Sequence, residues 1–437
     1  MMNSIPVSIF WHRRDLRLED NAGLYHALNS GLPVLPIFIF DKHILDKLEN
    51  RLDKRVDFIH QQLAEIKKQL NDLDSDLLVF YGTPEDVWPK ITSQYNIKTV
   101  FTNHDYEPYA KERDAWVTNF FASNQIAFNT YKDQCVFEYN EVLKDDGKPY
   151  TVFTPYSKKW KTKLTDLQLN SYPNEKHFSA YLKVEKIQSL ISLQDMNFKP
   201  TGAAFPSKQT AQSIIKNYDK TRDYPAILGT SRLGVHFRFG TISIREKARK
   251  AIALNETFLN ELIWRDFYMM ILANFPHVAN GAFRKEYDNI QWINNEQEFA
   301  AWCNGTTGYP IVDAGMRELN TTGYMHNRVR MIVASFLTKH LLINWQWGEA
   351  YFAEKLLDFD LSANNGGWQW AAGCGTDAAP YFRVFSPQLQ TERFDKQLQY
   401  IKTWVPEYGT PKQIQPIVDH AFARKRCLEV YKAALSK

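Results

Sequence analysis

Residues 51–82 read RLDKRVDFIHQQLAEIKKQLNDLDSDLLVFYG, and two different periods follow one another in them. Val56, Ile59, Leu63, Ile66 and Leu70 recur as one stripe of a 3.6-residue helix. After the polar NDLDSD, the run LLVFYG is continuously apolar or aromatic and short enough for a buried strand. The surrounding text repeats this alternation. VSIFWHR (7–13), LPVLPIFIF (32–40) and KTVFTNH (98–104) read as strands, and TPEDVWPKITSQYN (83–96) as a helix with Thr83 as its N-cap. Strands separated by helices predict a doubly wound parallel sheet, an α/β domain over residues 1–130. Such sheets bind ligands beyond the carboxyl ends of their strands. No G-x-G-x-x-G follows the first strand, so the dinucleotide fingerprint is absent.

Beyond residue 130 the pattern loosens. LKDDGKPYTVFTPYSKKWKTKL (143–164) mixes turn residues and lysines, and residues 131–205 are expected to connect two domains. Residues 206–437 read as a larger all-α domain, with ETFLNELIWRDFYMMILANF (256–275) and NRVRMIVASFLTKHLL (327–342) as its strongest helices.

The 437 residues carry 53 Lys and Arg against 49 Asp and Glu, a mildly basic net +4 that permits a nucleic-acid partner without demanding one. The four cysteines form no C-x-x-C pair, which argues against a disulfide framework or a cysteine metal site. No apolar run reaches membrane-spanning length, and MMNSIPVSIFWHRRDLR lacks the charge order of a signal peptide. A cytoplasmic monomer without a metal is the expectation. Of the 12 tryptophans, eight lie between Trp264 and Trp404, so the aromatic excess belongs to the C-terminal part.

Four stretches carry candidate chemistry. LGTSRLGVHFRFG (228–240) sets Thr230, Ser231 and Arg232 before a helix start, where hydroxyls and backbone N–H groups could hold phosphate or simply cap the helix. ELIWRDF (261–267) puts Glu261, Trp264 and Arg265 on one helical face. GYMHNRVRMIVASFL (323–337) places Asn327 and Met331 together, flanked by Arg328 and Arg330. LLDFDLSANNGGWQW (356–370) gathers Asp358, Asp360, Asn364 and Asn365, and buried carboxylates there need partners such as Arg330 or Arg328. Trp368 and Trp370 then stand among Gly366, Gly367, Ala371, Ala372 and Gly373, neighbours small enough to admit a large ligand.

These stretches occur in a telling order. WHRRDLRLEDN, TSRLG, ELIWRDF, DAGMRELNTTGYMHNRVRMIVASFL, LLINWQWGEAYF and DFDLSANNGGWQWAAGCGTDAAPYFRVFSPQLQTERFD together resemble the photolyase/cryptochrome flavoproteins. The resemblance spans nearly the whole chain and is nearest to the bacterial class I cyclobutane pyrimidine dimer photolyases. It implies FAD in the helical domain, active as FADH⁻, passing an electron under light to a pyrimidine dimer in UV-damaged DNA. The alternatives it leaves are a cryptochrome-type blue-light receptor and a (6-4) photoproduct photolyase.

The resemblance also implies roles. Tyr218, Thr230, Ser231, Arg232 and Leu233 would hold the FAD phosphates. Arg330 and Asp358 would pair against the isoalloxazine, Asp360 would contact the ring or ribose, and Asn364 would face N5. Glu261 would hydrogen-bond the bases of the lesion, with Asn327 and Met331 beside the cavity. Trp264 and Trp370 would clamp the flipped-out dimer, and Arg222, Arg328 and Arg383 would meet phosphates near it. Trp368, Trp345 and Trp292 would form a chain feeding electrons to oxidised flavin. In the α/β domain, Glu107 would mark an antenna site, for methenyltetrahydrofolate, a deazaflavin or FMN. Gly234, Tyr324 and the Gly373–Cys374 pair depart from the family pattern.

Overall fold

The structure, a computed structural model, describes residues 5–436 and divides the chain into two compact units. The first comprises residues 1–138, 164–208 and 233–250, and the second residues 139–163, 209–232 and 251–437. The connector expected over residues 131–205 is thus shared between the units, and residues 233–250 lie with the α/β unit instead of the helical one.

The α/β unit is built on five parallel strands: β1 (Pro6–His12), β2 (Val34–Asp41), β3 (Leu78–Gly82), β4 (Asn96–Asn103) and β5 (Ala127–Tyr131), in the order β3-β2-β1-β4-β5. Every residue of β2 is buried, as a sheet covered on both faces requires. Pro36 is tolerated inside β2 because the ladder with β3 starts only at Ile37. Helices α1 (Ala22–Leu28), α2 (Lys54–Asn71), α3 (Pro84–Gln94) and α4 (Pro108–Ser123) connect the strands. Thr83 caps α3 by accepting from the Asp86 N–H at 3.1 Å, and Pro84 fills the first helical position.

The expected stripe of α2 shifts in one place: Ile59 stays half-exposed while Phe58 is buried, edge-on to Phe205 at 5.1 Å. Local period cannot anticipate a second apolar partner 147 residues away. The segment 233–250 joins this unit through close backbone contact. The Phe239 carbonyl accepts from the Leu16 N–H at 3.0 Å, and Gly240, at φ +60°, approaches so near that a Cβ would lie 2.1 Å from the Arg14 carbonyl oxygen. Arg245 reaches both Asp20 and Asp133, the latter at 2.8 Å.

The helical unit carries α5 (Phe153–Lys163), α6 (Glu256–Asn274), α7 (Glu296–Asn304), α8 (Pro310–Thr322), α9 (Asn327–Ser335), α10 (Trp345–Lys355), α11 (Leu361–Ala372) and α12 (His420–Leu435). Its core includes Trp302, Met325, Val329, Leu337, Phe352 and Trp368. The long helix read over 327–342 stops at Ser335 and widens into a π-turn over Phe336–His340, where the Thr338 hydroxyl donates back to the Ala334 carbonyl at 2.9 Å. Among the described residues, no helix is long and apolar enough to cross a membrane, no three His, Cys, Asp or Glu gather as metal ligands, and none of the four cysteines forms a disulfide.

Candidate active site

Helix α6 begins at an Asn255 cap and carries Glu261, Trp264 and Tyr268 along one face, at i, i+3 and i+7. Trp264 is stacked on Phe153 of α5, with centroids 3.7 Å apart and planes 3° from parallel. Tyr268 tilts against Trp264 at 5.4 Å. On α11, Gly366 lets that helix approach: a Cβ would lie 2.2 Å from the Tyr268 ring. Glu261 accepts a hydrogen bond from Arg222 Nη1. The two side chains keep 29% and 27% of their surface, the partial exposure of a cleft wall. Burial pushes the Glu261 carboxyl up from its usual range, against the pull of Arg222. The two residues were read separately from sequence, one toward bases and one toward phosphate, and the structure makes them a pair. The Arg222 guanidinium also lies 5.6 Å from the Tyr218 ring centre, and Tyr218 meets Phe258 edge-on at 5.2 Å.

Helix α8 ends on Gly323 in the left-handed region, φ +74°, which turns the chain into α9. His326 caps α9, its Nδ1 accepting from the Arg328 N–H at 3.2 Å. The ring proton therefore sits on Nε2, which is buried with no partner among the described residues. Burial and the charges of Arg330 and Arg328 hold this imidazole neutral, down to about 4. Arg330 donates through Nε to the Met325 carbonyl at 2.8 Å and through Nη2 to both Asp358 oxygens, at 3.1 and 3.0 Å. Arg328 turns elsewhere, to Asp223 at 2.6 Å and over the Phe394 ring at 4.3 Å, with Met331 sulfur 3.7 Å from its Nη1. Asn327 is exposed. Arg383 lies 5.4 Å from the Phe385 ring centre, and its carbonyl accepts from the buried Lys339 at 2.9 Å.

The stretch 230–233 crosses the division between the units. Thr230, Ser231 and Arg232 belong to the helical unit, whereas Leu233, buried at 1% exposure, belongs to the α/β unit. Thr230 Oγ1 lies 3.2 Å from the Tyr324 hydroxyl, and Arg232, at φ +52°, holds its guanidinium 4.7 Å from the Tyr324 ring centre. The N-cap of the following short helix, Gly234–Arg238, is Leu233, so no hydroxyl caps it.

Asp360 is the N-cap of α11, accepting from the Ser362 and Ala363 N–H groups at 3.1 and 3.3 Å. Two turns of that helix then form an amide ladder. Asn364 Nδ2 donates to the Glu349 carbonyl at 3.1 Å, which leaves Oδ1 as the atom available to a ligand. Asn365 Nδ2 donates to the Glu349 carboxylate at 3.0 Å, and Gln369 Nε2 to Asn365 Oδ1 at 3.0 Å. Glu349, on α10, escaped the sequence reading; GEAYF carries no local sign that its acid lies under the two asparagines.

Burial pushes the Glu349 carboxyl up to about 7, over the opposing bond from Asn365. Unfolded, it ionises near 4.3. From about pH 4.5 to 7 the folded chain keeps a proton that the unfolded chain has lost, so stability falls as pH rises through that window and levels above it. Glu349→Gln is expected to flatten this slope, by up to about 3 kcal/mol, in urea titrations across the window. An unchanged slope would refute the shifted acid.

Trp368 and Trp370 lie two residues apart on α11 and so point to different sides. Trp368 is buried against Phe352 and Trp302, at 5.0 and 6.0 Å, while Trp370 is half-buried. Trp345 is buried at the start of α10, and Trp292 meets Tyr431 edge-on at 6.1 Å. Gly348 makes room for Trp368: a Cβ there would lie 2.1 Å from Cη2. Gly348→Ala is expected to cost about 3 kcal/mol, since a buried indole cannot yield, with a perturbed near-UV tryptophan spectrum as its signature. A variant unfolding at the wild-type denaturant concentration would disprove that packing.

In the α/β unit, Glu107 precedes α4 and is held by Arg14 Nη1 at 3.0 Å and by Arg238. Its carboxylate already serves two guanidinium groups.

Comparison with known proteins bears on both units. Residues 8–175 match the family described as DNA photolyase, and residues 258–414 match the FAD binding domain of DNA photolyase. The deoxyribodipyrimidine photo-lyase of Halobacterium salinarum is 36% identical, with 98% of this chain and 99% of that one aligned. The chain belongs to the DNA photolyase family. A bacterial class III photolyase from Agrobacterium tumefaciens superimposes with a TM-score of 0.86 at 30% identity, covering 99% of this chain and 98% of that one. An archaeal photolyase from Sulfolobus tokodaii, solved with two FAD molecules, gives 0.79 at 34% identity over 98% and 99%. For a photolyase, the helical unit carries polar groups that could meet an FAD. Arg330 is anchored by Asp358, and the buried His326 Nε2–H has no partner among the described residues.

Proposed function

We propose that this photolyase repairs cyclobutane pyrimidine dimers in UV-damaged DNA under light. The observation that carries the reading is the face of α6, where the partly exposed acid Glu261 lies one turn before Trp264, an indole backed on one side by Phe153. Bound in reduced form, FAD supplies the electron that opens the cyclobutane ring when blue light is absorbed.

The chain's own residues bind, orient and shield. The Arg330–Asp358 pair would hold the flavin with a guanidinium whose orientation is set by the Met325 carbonyl. Asn364, its Nδ2 tied to the Glu349 carbonyl, would keep Oδ1 free to accept a hydrogen bond from the flavin. Trp264, supported from behind by Phe153, offers its other face to a base extruded from the duplex, and Trp370 offers the second wall. Burial raises the proton affinity of the Glu261 carboxyl against the pull of Arg222, and this carboxyl would hydrogen-bond the bases of the lesion. Arg222, held by Glu261, and Arg328, held by Asp223, are set near the same face to meet phosphate.

The test is repair itself. Reduced, FAD-loaded protein is mixed with DNA carrying thymine dimers and kept in blue light or in darkness. Dimers are expected to disappear only in light, while (6-4) photoproducts in parallel samples persist. Dimers surviving equally in light and dark would overturn the proposal.

A further inference from the structure

The ring contacts of Trp368 lead somewhere the sequence did not suggest. Its indole neighbour is Trp302, with centroids 6.0 Å apart and planes at 70°. Trp302 lies on α7, fully buried, with Nε1 donating to the Val333 carbonyl at 3.1 Å. It meets the ring of Tyr351 at 5.7 Å. Tyr351 is half-buried on α10, and its hydroxyl donates to Asn320 Oδ1 at 2.7 Å, with the Cys303 carbonyl as a second acceptor at 3.1 Å. Asn320 is exposed, so this phenol is one hydrogen bond from solvent.

We propose that Trp302 and Tyr351 form a second electron-supplying branch from the surface to Trp368, ending in oxidation of Tyr351 with loss of its phenolic proton. The branch rests on the reading that Trp368 donates an electron to light-excited, oxidised FAD. One electron leaves Tyr351 and fills the vacancy on Trp302, whose electron has filled the vacancy on Trp368. The flavin gains one electron, Tyr351 loses one, and the Tyr351 proton passes to water at Asn320. Three features fit a phenol in this place. Burial pushes its hydroxyl up from the usual tyrosine range, so the resting group is protonated. The Lys355 ammonium, 5.4 Å from the ring centre, disfavours positive charge there, so the oxidised ring must shed its proton. Both partners of the hydroxyl are acceptors, which aims the O–H outward along the exit path.

Packing alone would also place Trp302 beside Trp368, so the test must read the radical. Protein loaded with oxidised FAD is flashed with blue light and followed by transient absorption and electron paramagnetic resonance. A tryptophan radical is expected first and a neutral tyrosyl radical after it, formed more slowly in deuterated solvent. Tyr351→Phe, which keeps the ring and the packing, should abolish the tyrosyl signal and leave the tryptophan signal. Trp302→Phe should do the same. Tyr431→Phe, beside Trp292, should change neither. If the wild type shows tryptophan but no tyrosyl radical, or if the tyrosyl signal survives Tyr351→Phe, the branch is wrong and the role of Trp368 stands. If no tryptophan radical forms in the wild type, the role of Trp368 fails and the branch falls with it.

Discussion

Asp358→Asn is expected to yield a protein that purifies pale and binds FAD about 100-fold more weakly. Arg330 is enclosed between α9 and the turn before α11, and both Asp358 oxygens accept from its Nη2. Removing one partner of such a pair leaves a charge without compensation, at about 3 kcal/mol at the lower end of the range for buried pairs, and that energy corresponds to about 100-fold in affinity. The lower end applies because the two side chains keep 26% and 18% of their surface. The Met325 carbonyl still holds Nε, so Arg330 is not released altogether. Titration of apoprotein with FAD, followed by flavin fluorescence, measures the effect. A dissociation constant within a factor of three of wild type would show that the pair does not serve the cofactor.

Trp264→Ala should weaken binding of dimer-containing DNA by about 1–3 kcal/mol per stacked base, which is about 5- to 150-fold for one base, while undamaged DNA is bound as before. The discrimination would arise because Arg222 and Arg328, in their proposed role on phosphate, would supply sequence-independent attraction, whereas the indole would meet only a base outside the stack. Trp264→Phe preserves a flat face on Phe153 and should recover most of the loss. Competition binding with damaged and intact duplexes at one fixed salt concentration decides the matter. Equal weakening for both DNAs would assign Trp264 to packing instead.

Much of the site was visible as text because its residues are near neighbours on single helices. Glu261 and Trp264 share a face of α6, and Trp368 and Trp370 diverge on α11, by the geometry of a 3.6-residue turn alone. The rule that an enclosed carboxylate needs a partner left Arg330 and Arg328 both open for Asp358, the resemblance implied Arg330, and the structure pairs Asp358 with Arg330 and sends Arg328 to Asp223. The partners that were missed lie on other elements, Glu349 only 15 residues from Asn364 and the rest much farther away. Phe153 comes to Trp264 from 111 residues upstream, Asp223 to Arg328 from 105, and Trp302 to Trp368 from 66. Nothing in the local pattern around Phe153 or Trp302 separates them from ordinary core aromatics.

Residue periodicity by itself determined four of the five strands and the helices Lys54–Asn71 and Pro84–Gln94, because backbone geometry converts spacing directly into a buried face, whereas β5, α1 and α4 were not read from it. It also set the helical nature of the C-terminal part and the local order of the site residues. Tertiary structure alone decided which unit receives residues 233–250, which carboxylate each arginine meets, and which tryptophan touches Trp368. Those outcomes depend on how separate elements pack, and the energy of a contact between distant residues leaves no periodic trace in either segment.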